Sequence, residues 1–280
     1  MRYTRRVLNQ EITVSGPNFW GWDSTVILRP APEGAGWWWQ LPNGHVVAIN
    51  DKTLTSSKRR LVLRHDTHTL NAPDHLLPLA AAVNGVCIVQ QPGWRNSWIP
   101  YGDGSGSIFW NAVEPGLVTP TEHDTVPVYQ RIITVRNARK VVSFTPHPSR
   151  LEITVHIDYP GLGKHSETFV FPEDFPEVIK TPTQGWPPKL YRVSQLAGIL
   201  GWPHKNSVVW PQRQSASETL AMFARHRALD LLGVIAATMP AHMVLSGIYE
   251  SAYAGHREDI ELLRTLAAQK NVVNLFRRAA

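Results

Sequence analysis

The sequence predicts an α+β protein of two similar domains, each a sheet with helices packed on one face, the helices sandwiched between the two sheets. Three observations predict it. Alternating strand patterns open the chain, and they open again beyond a Pro-, Gly- and Thr-rich stretch at 114–127. The second opening echoes the first in order: RIITV at 131–135 matches QEITV at 10–14, and VSFTPHP at 142–148 matches VILRPAP at 26–32. Each half then runs through further strands to a helix that bears a histidine, His75 in the first and His226 in the second. With 280 residues and 43% hydrophobic content the chain can bury cores for two such units. The expected limits are 1–120 and 127–280, with an insertion around 169–210.

Taken in order, 11–14 and 23–28 alternate as strands, and further strands are expected at 36–41, 46–50 and 60–64, with a turn at Pro42, Asn43 and Gly44. The stretch NAPDHLLPLAAAV predicts the first helix, with Asn71 as its cap, Pro73 in its first turn and Pro78 kinking its middle. Residues 86–90 read as a buried strand. The loop IPYGDGSGS at 99–107 has enough glycine to bring backbone close to a ligand or another segment, although it fits no phosphate-loop fingerprint. In the second half LEITVHIDY at 151–159 alternates cleanly, and a short helical pattern lies near 193–200. A helix at 215–239 has Ser215 and Glu218 spaced as a capping box and stops at Pro240. A strand at 243–249 and an amphipathic helix at 258–269, with His256 just before its first turn, end the pattern.

Composition narrows the function. One Cys excludes an internal disulfide framework and a Cys-based zinc site, so a metal would need carboxylates and some of the 12 His residues. No apolar run reaches membrane-spanning length, and the cytoplasm is the expected compartment. The net charge of +6 favours an anionic partner, but the basic residues are scattered and form no nucleic-acid motif. Among the 11 Trp residues, Trp37, Trp38 and Trp39 are adjacent and cannot all face one core from a strand. Packing is the ordinary use of such residues, and an exposed aromatic surface for an apolar or sugar ligand is the other.

The helix at 215–239 carries chemistry. His226 and Asp230 stand four apart and project from one face, as two ligands of one metal ion or as a buried hydrogen-bonded pair. If the two halves pack with their helices face to face, His75 meets His226 and Asp230. The result is a His2Asp set with one position open for water, the arrangement of a catalytic Zn2+ site at the domain interface.

The segments ITVSGPNFWGWDSTVILRPAPEGAG, PDHLLPLA, YGDGSGSIFW, ARHRALDLLG and AGHRED occur in the order and at the spacings of a known family. The chain resembles the zinc-dependent UDP-3-O-acyl-N-acetylglucosamine deacetylases of lipid A synthesis over nearly its whole length, as a divergent member. The resemblance implies zinc ligands His75, His226 and Asp230, with Asp74 standing where the family has a Glu as general base. It implies His256 as a second catalytic residue and Thr183 as the oxyanion donor. Arg227 stands in place of a family Lys as a substrate-binding cation, and Val234 where the family has an Asp partner for the histidine.

The expected function is therefore zinc-dependent removal of an acyl group from an N-acetylated amino sugar or related glycoconjugate by a monomer, with an altered, anionic small-molecule substrate. The alternative is a catalytically impaired zinc protein that binds a nucleotide sugar or glycan without turning it over. A nucleic-acid binder would require strongly salt-dependent binding, which the scattered charges do not favour.

Overall fold

The computed structural model describes residues 5–31, 36–57, 60–102, 104–119, 132–147, 150–159, 161–182, 185–186, 208–209, 215–238 and 246–268. Two five-stranded sheets dominate. The first is built from β1 (Ile12–Pro17), β2 (Asp23–Pro30), β3 (Trp37–Gln40), β4 (Val46–Ala48) and β5 (Val86–Gln90), in the order β1-β2-β5-β3-β4. The second is built from β6 (Ile133–Asn137), β7 (Lys140–Thr145), β8 (Leu151–Tyr159), β9 (Gly163–Phe171) and β10 (Gly247–Ala252), in the order β6-β7-β10-β8-β9.

The two orders are the same, and so are the directions. In each sheet the last strand in sequence inserts between the second and third, antiparallel to one and parallel to the other: β5 aligns Val86 with Trp37, and β10 aligns Gly247 with Leu151. The sequence echoes fall on equivalent strands, β1 with β6 and β2 with β7. The molecule is thus α+β, with one sheet topology used twice.

Alternation decides which side chains go inside. β8 buries Leu151, Ile153, Val155 and Ile157 on one face and leaves the residues between them part exposed. Trp37 and Trp39 are buried on β3 while Trp38 is half-buried, as adjacent strand residues must be. Their indole N–H groups donate to the Val83 carbonyl at 2.9 Å and to Gln90 Oε1 at 3.1 Å, so the buried polar atoms are satisfied.

Two helices, α1 (Ala216–Thr238) and α2 (His256–Ala268), pack on the second sheet and meet parts of the first half. The predicted capping box forms: Ser215 N–H donates to Glu218 Oε2 at 2.8 Å, and Glu218 N–H to Ser215 Oγ at 3.2 Å. From 227 to 237 α1 is buried on every face, because it packs on β8 and β9 on one side and on the 3-10 turn Leu77–Ala81 of the first half on the other. The approach is close at Gly233, where a Cβ would stand 3.0 Å from the Pro78 ring. Helix α2 lies on β6 and β7 and touches the strand Leu54–Ser57. Among the described residues no helix is long and apolar enough to cross a membrane.

Two expectations need correction. The helix predicted over 71–83 is two 3-10 turns, Pro73–His75 and Leu77–Ala81. Pro73 and Pro78 lack the N–H that an α-helical ladder needs, and the bonds that form step by three: Leu76 N–H to Pro73 O, Leu79 N–H to Leu76 O and Ala82 N–H to Leu79 O. Asn71 caps nothing; it ends a strand and donates its side-chain amide to Ser97 O at 2.9 Å. The strand β9, for which the sequence raised no expectation, reaches residues 169–171 of the expected insertion. The short helix near 193–200, the stop at Pro240 and the start of the strand at 243 lie outside the described residues.

Candidate metal centre

The two 3-10 turns determine how the first half contributes. Ala72, in the left-handed region at φ 58°, reverses the chain before Pro73, and the tight turn then presents Asp74 and His75 side by side. Both are buried, at 5% and 1% exposed. Behind them the glycine-rich loop comes close to another segment, as its composition allowed. A Cβ on Gly106 would meet the Ile179 side chain at 2.3 Å and the His75 carbonyl oxygen at 3.1 Å, while Gly106 N–H donates to Ile179 O at 2.9 Å. Glycine therefore fixes the depth of the His75 backbone against the second half. Tyr101, earlier in the same loop, sets its ring edge-on to the His75 imidazole at 4.6 Å.

The second half contributes His226 and Asp230 from adjacent turns of α1, with Nε2 and Oδ1 3.2 Å apart. His256, the first residue of α2, brings its Nε2 to 3.8 Å from Asp230 Oδ2. Across the interface the His75 and His226 rings lie 6.1 Å apart at 25°, and His75 Nε2 is 3.4 Å from Asp74 Oδ2. Three imidazoles and two carboxylates from both halves thus lie next to one another. Ligand atoms of Asp74, Asp230 and His256 lie within 4.8 Å of one another. That trio shares only Asp230 with the set expected from the sequence, but His75 and His226 border the same cluster.

Electrostatics separate the groups. Burial pushes the Asp230 carboxyl up, yet the His226 and His256 imidazoles, the His226 hydrogen bond and the Arg227 guanidinium together hold it well below the usual carboxylate range. Burial lowers His75 despite Asp74 beside it, keeping its imidazole neutral. At His226 burial works in the same direction but Asp230 outweighs it and the net shift is upward. The Asp230 carboxylate, held ionised, and the His75 imidazole, kept from gaining a proton by burial, are ligand forms that suit a divalent cation.

The fit is supported by atoms that lack partners. Asp74 Oδ1 and the Nδ1 atoms of His75, His226 and His256 are buried without a hydrogen-bond partner. Buried polar atoms are rarely left so, and an ion with its waters is a partner that could satisfy them.

Arg227, expected to bind substrate, is engaged inside the protein beside the site. It is 8% exposed, and its guanidinium donates from Nε to Ser251 Oγ at 3.1 Å and from both terminal nitrogens to the two oxygens of Asp259. Most of its donors are taken inside the protein. Val234 is fully buried among apolar residues. Thr183 lies outside the described residues. Sequence reading missed Asp259, Ser251 and Tyr101; the signal for Asp259 was its spacing of three from His256 at the start of a helix.

Residues 5–268 match the family model of UDP-3-O-acyl N-acetylglycosamine deacetylase. No curated protein matches the chain.

Proposed function

The chain belongs to the UDP-3-O-acyl N-acetylglycosamine deacetylase family, and from that premise we propose that it is a zinc-dependent N-deacetylase of an N-acylated amino sugar or related glycoconjugate. The observation that carries this reading is the meeting of Asp74 and His75 with His226, Asp230 and His256 between the two halves. His75, His226 and Asp230 would hold the ion, and zinc held there supplies a Lewis acid for the amide carbonyl and eases ionisation of water.

The chain's own residues do the rest. Asp74 takes the proton of the attacking water on a carboxylate oxygen as the new C–O bond forms. Thr183 is the proposed donor to the carbonyl oxygen. His256 passes a proton from Nε2 to the nitrogen as the C–N bond breaks, and a carboxylic acid and a free amine leave. Asp74 is one methylene shorter than the Glu the family resemblance implies, and a shift on the order of 1 Å can cost about a hundredfold in rate. That shortening, with Val234 and Arg227, fits the alternative of a zinc protein that binds without turnover, whereas the bulky, proline-rich sequence TPTQGWPPK at 181–189 supports a substrate other than the lipid A precursor. The reading carries with it a cytoplasmic monomer and an anionic substrate.

The test is metal analysis of the purified protein together with amine release from a panel of N-acetylglucosamine compounds, including the UDP-linked 3-O-acyl form, with Asp74→Ala and His226→Ala as controls. Zinc with release that both substitutions abolish supports the reading. Zinc with no release across the panel overturns it in favour of a binding protein.

A further inference from the structure

One feature of the first half has no part in the chemistry above. Six aromatic rings run from the His75 imidazole to the surface. Tyr101 touches His75; Phe19 lies 5.6 Å from Tyr101 and stacks on Trp98 at 5.5 Å; Trp20 meets Trp98 edge-on at 5.6 Å and lies tilted against Trp22 at 6.1 Å; Trp22 meets Trp94 edge-on at 4.5 Å. Exposure rises along the row. The first four rings are half-buried, Trp22 is 39% exposed and Trp94 is 61% exposed.

The row is held rigidly. Asn18, 3% exposed, accepts at Oδ1 from the backbone N–H groups of Trp20 and Trp22 at 2.9 and 3.3 Å and donates its amide to Arg95 O at 3.3 Å. It therefore ties the β1–β2 loop to the segment that bears Trp94 and Trp98. Asn96 strengthens the tie by accepting from Thr25 N–H at 3.0 Å and donating to Pro92 O at 2.7 Å. The backbone that carries the rings is thus tied in place and loses little freedom when something binds to them.

Two cations flank the row. The Arg60 guanidinium sits 4.5 Å over the Trp98 ring and that of Arg95 5.6 Å over the Trp94 ring, and among the described residues neither has a carboxylate partner. Core packing would account for the inner rings. It does not account for two indoles left in water at the end of a row that starts at the candidate metal centre, beside two arginines that have no carboxylate partner among the described residues.

We infer that this row is a glycan subsite, on which sugar rings attached to the N-acylated residue stack as the substrate extends from the metal centre to the surface. A pyranose offers an apolar face of C–H bonds to an indole and hydroxyls at its rim, which suits half-wet indoles better than an acyl chain, for which a closed passage is expected. Arg60 and Arg95 then face anionic substituents of that glycan. The inference rests on the proposed deacetylase reading for what lies at the inner end.

The probes are chitotetraose, the monomer N-acetylglucosamine, and decanoate as an acyl chain. Binding is followed by tryptophan fluorescence and calorimetry in the full chain. Variants are Trp22→Ala and Trp94→Ala, exposed and so able to fold, with zinc content as a check that the centre is intact. The expected result is that the tetramer binds more tightly than the monomer, and that either substitution weakens the tetramer about tenfold, as for an aromatic anchor, with zinc retained. His226→Ala separates the two readings: tryptophan-dependent tetramer binding that survives loss of zinc upholds the subsite even where deacetylation fails. Equal binding of the tetramer by wild type and both Trp variants, no tetramer binding at all, or tryptophan-dependent binding of decanoate alone each overturns it.

Discussion

Arg227 and Asp259 form a bidentate ion pair between α1 and α2, one residue beyond His226 on the first helix and three beyond His256 on the second. Ser251 on β10 completes it by accepting from Arg227 Nε. Burial pushes the Asp259 carboxyl up, and the guanidinium opposes that push. The pair fastens two helices and a strand beside the candidate metal centre, so it constrains the distance between His226 and His256.

Breaking this pair should separate stability from position. Arg227→Ala leaves Asp259 buried without a counter-charge and should cost about 3–5 kcal/mol in urea denaturation. The double variant Arg227→Met/Asp259→Leu removes both charges and should recover most of that loss. It lacks the geometric constraint, so its zinc affinity should remain below that of the wild type. A double variant that folds and holds zinc as the wild type does would reduce the pair to a structural role.

The ligand set is decided by metal content. Removing His75 or His226 as alanine should abolish stoichiometric zinc, and His256→Ala should keep zinc while losing turnover. The reverse outcome, zinc lost with His256 or Asp74 and kept without His75, would assign the ion to the trio whose ligand atoms lie within 4.8 Å of one another. Cobalt substitution gives a second readout, since the spectrum reports the number of nitrogen ligands.

Gly233 tests the contact between the halves. An added methyl would stand 3.0 Å from two carbons of the Pro78 ring and 3.1 Å from its nitrogen, and a ring cannot swing aside as a flexible side chain can. Overpacking of this kind costs about 1–3 kcal/mol, against which alanine returns about 1 kcal/mol of helix propensity. The net expectation for Gly233→Ala is a loss of stability. In the background of Pro78→Ala the same substitution should cost clearly less, and equal costs in both backgrounds would place the strain elsewhere.

Much of this was legible beforehand, for physical reasons. Strands with one wet face announce themselves by alternation, as β2 and β8 do, and a reciprocal cap such as Ser215 with Glu218 is local in sequence. The strand β9 was missed because GKHSETFVF is polar through most of its length; as an edge strand it buries little before Phe169. Two prolines outweighed an otherwise helical composition at 73–81, because each removes a donor that an α-helix requires. His226 and Asp230 could be paired by helical spacing alone. The Arg227–Asp259 partnership joins residues 32 apart, and only the packing of α1 against α2 decides that Arg227 turns inward rather than toward a ligand.

The start of α1 offers a pH-dependent test that is independent of the metal. Glu218 Oε2 accepts from both the N–H and the hydroxyl of Ser215, and these bonds, the backbone one first, hold its carboxyl below the ordinary glutamate value of 4.5. A carboxyl depressed in the folded state contributes stability that is present above its unfolded value and is lost as pH falls through its folded one. Glu218→Gln keeps an acceptor oxygen but cannot titrate. The wild type should therefore be the more stable above pH 4.5, and the difference in urea midpoint should shrink toward zero as the solution is acidified. Every other carboxyl titrates in both proteins, so the shrinking difference belongs to Glu218 alone. Because two turns of helix separate Glu218 from His226, zinc content near neutral pH should be the same in both. A difference in midpoint that stays constant through the acid range would mean that the cap acts by shape and not by charge.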